Sequence, residues 1–236
     1  MDRMTGRARP VIAIDGPVGA GKSTVARALA RVLGFTYLNT GAMYRAVAIA
    51  ARARGLDPDD PALAERLAAM LEKVSITFDG ERVLLDGHDV SGEIGAPAVG
   101  DLASRLSTLA VVRARMRVAQ RAAGRDGGIV MEGRDIGTAI FPDAEFKFFL
   151  TADVNVRAQR RFAELAAKGE RVTFAAVLAE LRERDRRDQE RELAPLRQAA
   201  DAIEIDATAL SASAVVAAMK SRIDQALRGE KDLKRT

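Results

Sequence analysis

The stretch Gly16-Pro17-Val18-Gly19-Ala20-Gly21-Lys22-Ser23-Thr24, running on from the apolar Val11-Ile12-Ala13-Ile14, decides how this chain folds. Its spacing, G-x-x-x-x-G-K-[ST], lies after a predicted strand and before a predicted helix, the one setting in which that spacing has a mechanism. Glycines let the backbone curl so that successive N–H groups point inward at a polyphosphate, and the helix opening at Lys22-Ser23 adds its positive end. Lys22 brings a mobile charge to the outer phosphates, and the Ser23 hydroxyl is suited to ligate Mg²⁺. The implication is a nucleoside triphosphate site built from Gly16 to Thr24.

Outward from this loop, five short apolar runs are expected as buried strands: Val11–Ile14, Thr36–Leu38, Gly128–Met131, Phe146–Leu150 and Ala202–Ile205. Long helical stretches separate most of them, which predicts a parallel sheet with crossover helices on both faces. Helices are expected after the loop and over Pro61–Lys73, Val99–Leu106, Ala110–Arg125, Val154–Lys168, Phe174–Arg191 and Ser213–Leu227. Gly229 to Thr236 is charged and expected to fray. Between Leu71 and Val90 the texture changes. Val74–Phe78 alternates, Asp79-Gly80 turns, Arg82–Leu85 returns, and Asp86-Gly87 turns again before His88–Val90, predicting a small antiparallel meander inserted between helices. His88 is expected on its surface.

Composition narrows the chemistry. The 236 residues contain no cysteine and one histidine, which excludes disulfides and thiolate metal sites and leaves imidazole catalysis almost nothing to work with. No run approaches a membrane span, and Met1–Pro10 lacks the apolar stretch of a signal peptide, so a soluble cytoplasmic protein is expected. Lysine and arginine total 37 for a net charge of +4. A preference for phosphate would explain the arginines, and so would a GC-rich genome; composition does not choose.

Position is more telling. Thr40-Gly41-Ala42-Met43-Tyr44-Arg45 closes the second strand and opens a helix, with Thr40 as its expected N-cap. That junction is also the carboxyl end of a strand in an open α/β sheet, where ligands bind, and Arg45 is placed to reach an anion there. Glu132-Gly133-Arg134-Asp135-Ile136-Gly137 leaves the third strand at the same end, pairing a cation for phosphate with a carboxylate for a base or sugar. Two arginine groups follow, Arg157, Arg160 and Arg161, then Arg182 to Arg191. In the second, Arg184, Asp188 and Arg191 recur on one expected helical face, a spacing that equally suits plain ion pairs. These pieces fit a kinase for small anions, because phosphoryl transfer requires alignment and positive charge more than covalent help.

With these residues assembled, the chain resembles the bacterial cytidylate (CMP) kinases from Val11 to about Leu227. The marks are IDGPVGAGKST, LNTGAMYRA, LDGHDVSGEI, EGRDIGT-x-x-FPDA, RERDRRD and APL-x-x-AADA. The resemblance implies an α/β P-loop nucleoside-monophosphate-kinase fold, with a five-stranded parallel sheet, flanking helices, a small antiparallel β insertion and a helical lid. It divides the chain into a core (10–40, 107–156 and 173–229), a CMP-binding domain (41–106, with the insertion at about 74–90) and a lid (157–172). It implies transfer of the γ-phosphoryl group of ATP to CMP or dCMP, with Mg²⁺, by a cytoplasmic monomer of pyrimidine nucleotide metabolism. By matching motif, Arg45, Arg134 and Arg191 hold the CMP phosphate, Ser104, Arg113 and Asp135 read the cytosine edge, and Arg184 and Asp188 meet the sugar. Thr40, Gly41 and Tyr44 line the same site. Lys22, Arg134, Arg157, Arg161 and Arg191 are the catalytic cations, with Arg160 beside them on the lid. Thr40 stands where the family often has serine, and Glu132 where aspartate is common.

Other readings remain open to the residues themselves. A kinase for AMP, UMP or shikimate shares the loop. A guanine-reading switch would need an Asn-Lys-x-Asp string, and Asn39 and Asn155 precede Thr and Val. Nucleic-acid binding is disfavoured by two Tyr, eight Phe and no Trp among intermixed acids. No membrane partner is expected.

Overall fold

The computed structural model describes residues 7–233, which divide into two compact units. One comprises Met1–Leu38, Asp126–Gln189 and Leu196–Thr236, the other Asn39–Arg125 and Glu190–Pro195. In the first, β1 (Val11–Asp15) is buried along its whole length. It pairs in parallel with β6 (Ile129–Gly133) on one side and β7 (Phe146–Thr151) on the other. Ile12 stands opposite Val130 and Phe146, and Ile14 opposite Glu132 and Phe148. β2 (Thr36–Asn39) and β8 (Ile203–Asp206) complete a five-stranded parallel sheet in the order β2-β6-β1-β7-β8.

A strand that is apolar on both faces needs cover on both. Helices α1 (Lys22–Leu33) and α8 (Ala212–Leu233) pack on each other, and Val25, Leu29, Val215, Met219 and Ile223 meet Ile12, Ile14, Val130, Phe148 and Leu150. Each fully buried side chain of this size contributes about 1.5–3 kcal/mol. Two expectations change. β8 is an edge strand with Ile203, Glu204 and Asp206 exposed, because it has a neighbour on one side only. The last helix continues past Gly229 to Leu233, and 234–236 lie outside the described residues.

Also in this unit, α6 (Val154–Ala167) and α7 (Phe174–Glu190) form a helical hairpin. Its own small core joins Ala158, Leu165, Val177 and Leu181, and Val18 of the glycine-rich loop packs against it. Asp153 caps α6, its carboxylate accepting from the N–H groups of Asn155 and Val156.

The second unit centres on α2 (Thr40–Ala53), whose small residues are buried over most of its circumference. α3 (Leu63–Lys73), α4 (Pro97–Leu106) and α5 (Ala110–Ala123) pack against it. α5, assigned to the core by resemblance, groups here because its stripe of Val112, Met116 and Gln120 is buried and the helix packs on α3. The meander appears as β3 (Ile76–Asp79), β4 (Arg82–Leu85) and β5 (His88–Asp89), antiparallel throughout, with His88 exposed. Asp86 and Gly87, at φ 51° and 83°, form its second turn as expected. The first turn is Gly80-Glu81, one residue later than expected, since Asp79 still pairs with Arg82.

Gly16 is required by close approach: at φ 150°, a Cβ there would sit 2.0 Å from the Leu150 carbonyl oxygen. Gly16→Ala is therefore expected to cost about 3 kcal/mol or more, read as a fall of roughly 6–12 °C in Tm. Gly92→Ala, whose Cβ meets open space, should stay within about 0.5 kcal/mol.

Candidate functional site

The loop leaves the central strand at Asp15 and enters α1 through Gly21, an N-cap in the left-handed region at φ 93° with no side-chain cap bond. The first-turn N–H groups of α1 are thereby left to an anion. Lys22 is 5% exposed and folds back so that Nζ donates to the Pro17 carbonyl at 2.6 Å. Burial pushes its pKa well below the ordinary lysine value, and Arg134 adds repulsion, against the opposing pull of Glu132, Asp188 and Asp15. An arriving polyphosphate offsets both unfavourable terms, so this lysine is matched to an anion and poorly matched to the bare protein.

Arg134, just past β6, donates through Nε to Asp188 Oδ2 of α7 at 2.7 Å and through Nη1 to the Gly133 carbonyl. Burial opposes its charge, but Asp188, with Glu132 and Asp185, outweighs that and holds the guanidinium firmly protonated. Arg157 is buried at the start of α6. Its Nε donates to the Ala152 carbonyl, and its Nη1 to the Val18 carbonyl and to Asp185 Oδ2 at 2.7 Å. Arg157 thus ties the glycine-rich loop to the helical hairpin. Its two companions are placed differently. Arg160 donates to the Ala207 carbonyl, beyond β8, and Arg161 pairs with Glu164 one turn along its own helix. Of the expected lid cations, Arg157 is the one joined to the loop.

Asp135 is buried, and its carbonyl accepts from Ala139 and Ile140 at the head of a short π-helical turn, Ile136–Ile140. The first two N–H groups of that turn, Ile136 and Gly137, donate to Asp15 Oδ1 and Oδ2 at 2.8 and 2.7 Å. Burial is the main reason the Asp15 carboxyl is pushed up to about 6; Asp135 adds to the rise, and the two N–H bonds and Lys22 oppose it.

Within the second unit, the cap of α2 is Asn39, not Thr40. Asn39 Oδ1 accepts from Ala42 N–H at 3.1 Å, which is the N3 position, so Thr40 becomes the first helical residue and is buried. Gly41, Tyr44 and Arg45 follow on the first turns of the helix. Ser104 is buried on α4, and its Oγ has no hydrogen-bond partner among the described residues. Arg113, buried on α5, donates to the Ser107 carbonyl at 3.3 Å, while Ser107 Oγ donates to the Ser104 carbonyl. The expected face of Arg184, Asp188 and Arg191 is not one helical face. α7 ends at Glu190, because the Leu196 N–H takes the Asp188 carbonyl at 2.7 Å and turns the chain back. Arg191 lies beyond the end, donating from Nε to the Ala194 carbonyl. The first unit brings together Lys22, Arg134, Asp135, Arg157, Arg184 and Asp188; the second holds Thr40, Gly41, Tyr44, Arg45, Ser104, Arg113 and Arg191.

Sequence reasoning missed Asp15, Asp185 and Tyr37. Asp15 was visible as a carboxylate adjoining the loop at the end of an apolar strand, which is a signal for a capping role. The other two find their partners only through tertiary structure.

The family model for cytidylate kinase matches residues 12–225. A cytidylate kinase of Citrifermentans bemidjiense is 46% identical over 219 residues, covering 92% of this chain and 94% of that protein. One of Pelotomaculum thermopropionicum is 50% identical over 217 residues, covering 91% and 96%. Among solved structures, a shikimate kinase from Acinetobacter baumannii in complex with shikimate aligns over 97% of this chain and 98% of its own, at 19% identity and a TM-score of 0.46.

Because the Asp15 carboxyl holds its proton more tightly in the folded chain than in the unfolded one, its contribution to stability is fully present below about pH 4 and is lost as pH rises through about 6. Urea unfolding at pH 4.5 and 7.5 should show this as a loss of about 2 kcal/mol, to higher pH, in the wild type relative to Asp15→Asn.

Proposed function

The chain belongs to the cytidylate kinase family, and from this we propose that it transfers the γ-phosphoryl group of ATP to CMP or dCMP. A phosphate oxygen of the acceptor forms the new bond to the γ-phosphorus as the bond to the β–γ bridging oxygen breaks, giving ADP and CDP or dCDP. The observation that carries this reading is the buried Lys22 at the head of α1, a cation whose burial is offset by a polyphosphate on the loop beside it. Residues Gly16 to Thr24 take the ATP phosphates. Arg134 and Arg157, each held at 2.7 Å by a carboxylate of α7, are pre-aimed cations for the charge that spreads over the transferring group. Arg161, on the segment 157–172 taken as a lid, would join them on closure, as the resemblance implies.

For the acceptor, Ser104 supports the assignment in the second unit. A buried hydroxyl without a partner is unfavourable until a ligand satisfies it, and cytosine offers an amino donor beside ring acceptors. Arg113 and Asp135 complete the base-reading set, Arg45, Arg134 and Arg191 take the phosphate, and Arg184 and Asp188 take the sugar. Thr40, Gly41 and Tyr44 accompany Arg45. The protein is taken as a cytoplasmic monomer.

Mg²⁺ fits this donor set. Among the described residues there is no group of three or more His, Cys, Asp or Glu able to hold a metal, so the ion would come with the triphosphate, keeping waters and needing one or two protein oxygens. Ser23, on the first turn of α1, would hold it. When bound, Mg²⁺ neutralises charge on the β- and γ-phosphates. The protein's part is to grip, align and exclude water.

Lys22→Ala is expected to lower kcat at least a hundredfold while costing the fold no more than about 1 kcal/mol, since it removes a disfavoured buried charge. Near-normal turnover would overturn the assignment of the triphosphate site. Coupled assays across nucleoside monophosphates should rank CMP and dCMP first, and Asp135→Ala should raise the KM for CMP more than that for ATP. Equal rises would contradict base reading by Asp135.

A further inference from the structure

Asp135 stands at the head of the π-helical turn Ile136–Ile140, in the position from which an aspartate ordinarily caps a helix with its own carboxylate. It makes no such capping bond. The N–H groups that open the turn, on Ile136 and Gly137, go instead to Asp15, one on each carboxylate oxygen at 2.8 and 2.7 Å. A residue of the central strand does the capping, and the Asp135 carboxylate is not tied to its own turn.

The bond from Ile136 has a second consequence. Its N–H belongs to the same planar peptide group as the Asp135 carbonyl, and that carbonyl accepts from Ala139 and Ile140 at 2.9 and 3.1 Å. One plane is therefore held at both edges, by Asp15 on one side and by the turn on the other. It fixes ψ of Asp135 at 23°, and with it the direction in which that residue sends its side chain. The turn is also closely walled. A Cβ on Gly137 would lie 3.1 Å from Lys147 Cδ and 3.5 Å from Asp15 Oδ2. Lys147 Nζ in turn donates to the Pro142 carbonyl, past the end of the turn, and to Asp201. Of these two buried charges, Asp15 is the one bonded to the peptide of Asp135.

We propose that Asp15 is a positioning residue for base recognition: by capping the turn in place of Asp135 and fixing its peptide, it aims the Asp135 carboxylate at the amino group that cytosine carries and uracil lacks. The inference rests on the reading of Asp135 as a base-reading residue. A carboxylate accepts and does not donate, so it favours the cytosine amino group and repels the carbonyl oxygen that uracil has there. The size of that preference depends on distance and direction, and these are what Asp15 sets.

The test is the ratio of kcat/KM for CMP to kcat/KM for UMP, measured at pH 7.5, where Asp15 is ionised. Asp15→Asn keeps the shape and one accepting oxygen but turns an amide donor toward the other N–H. In the folded variant the ratio should fall about tenfold. Asp135→Ala should lower it at least as far, and the double variant no further than Asp135→Ala alone. Ile223→Val, which loosens the packing of α8 on the sheet, should keep the ratio within about twofold of the wild type. Should Asp15→Asn fail to fold, Asp15→Ser, with one hydroxyl oxygen to accept, carries the same comparison. An unchanged ratio in the folded Asp15 variant overturns the proposal. So does a loss that adds to that of Asp135→Ala, or an equal loss in Ile223→Val. If Asp135→Ala itself leaves the ratio unchanged, base reading by Asp135 falls and takes the proposal with it.

Discussion

The structure of the first unit depends on one buried carboxylate. Asp15 ends the central strand at 5% exposure and gives each of its oxygens to a backbone N–H of the turn that follows Arg134-Asp135. Burial of β1 between β6 and β7 forces the carboxylate out of water, and the two N–H groups are what make that tolerable. As a result the strand end that launches the glycine-rich loop is joined directly to the segment carrying Arg134 and Asp135. A carboxylate with a shorter or longer reach, or an amide with only one acceptor oxygen, does not make the same joint.

Around this joint the charges are arranged in buried opposites. Arg134 meets Asp188, and Arg157 meets Asp185, both carboxylates coming from the single helix α7. Removing one member of such a pair leaves the other uncompensated, which is the costly event for buried charge. Each guanidinium also donates to backbone carbonyls, Arg134 to Gly133 and Arg157 to Ala152 and Val18, so carboxylate and carbonyls together fix its position. Lys22 differs in that its Nζ donates to a backbone carbonyl and, among the described residues, to no carboxylate, and burial pushes its pKa well below the ordinary lysine value. A site with its lysine disfavoured and its arginines balanced discriminates for a polyanion at the loop.

Much of this was legible in the residues. Val11–Ile14 announced a strand buried on both faces, since it lacks any polar alternation, and the glycines of the loop announced a backbone that must pass close to something: for Gly16, the Leu150 carbonyl. The Asp86-Gly87 turn was legible because both of its residues must take positive φ, which Asp and Gly tolerate. What failed were inferences that treated a local pattern as final. Arg191 looked like the next step of the α7 face, yet a distant N–H, from Leu196, ends the helix first. Thr40 looked like the cap, yet Asn39 takes that place, its Oδ1 accepting from the Ala42 N–H. The three lid arginines looked equivalent at their spacing, and Arg157 is the one that reaches the loop: Arg160 turns to the remote Ala207 carbonyl, and Arg161 makes an ordinary intrahelical pair with Glu164.

The sequence by itself determined the family, the α/β order of elements and the position of the triphosphate loop. Those properties are written in local signals: hydrophobic period, turn chemistry and a run of nine residues with one mechanism. Tertiary structure decided the roles of Asp15, Asp185 and Tyr37, whose hydrogen-bond partners lie between 28 and 122 residues away. A hydrogen bond acts over about 3 Å, and separation along the chain says nothing about that distance until the sheet has formed. Only then do β2 and β6 bring the Tyr37 phenol to the Glu132 carboxylate, and β1 the Asp15 carboxylate to the turn that follows β6.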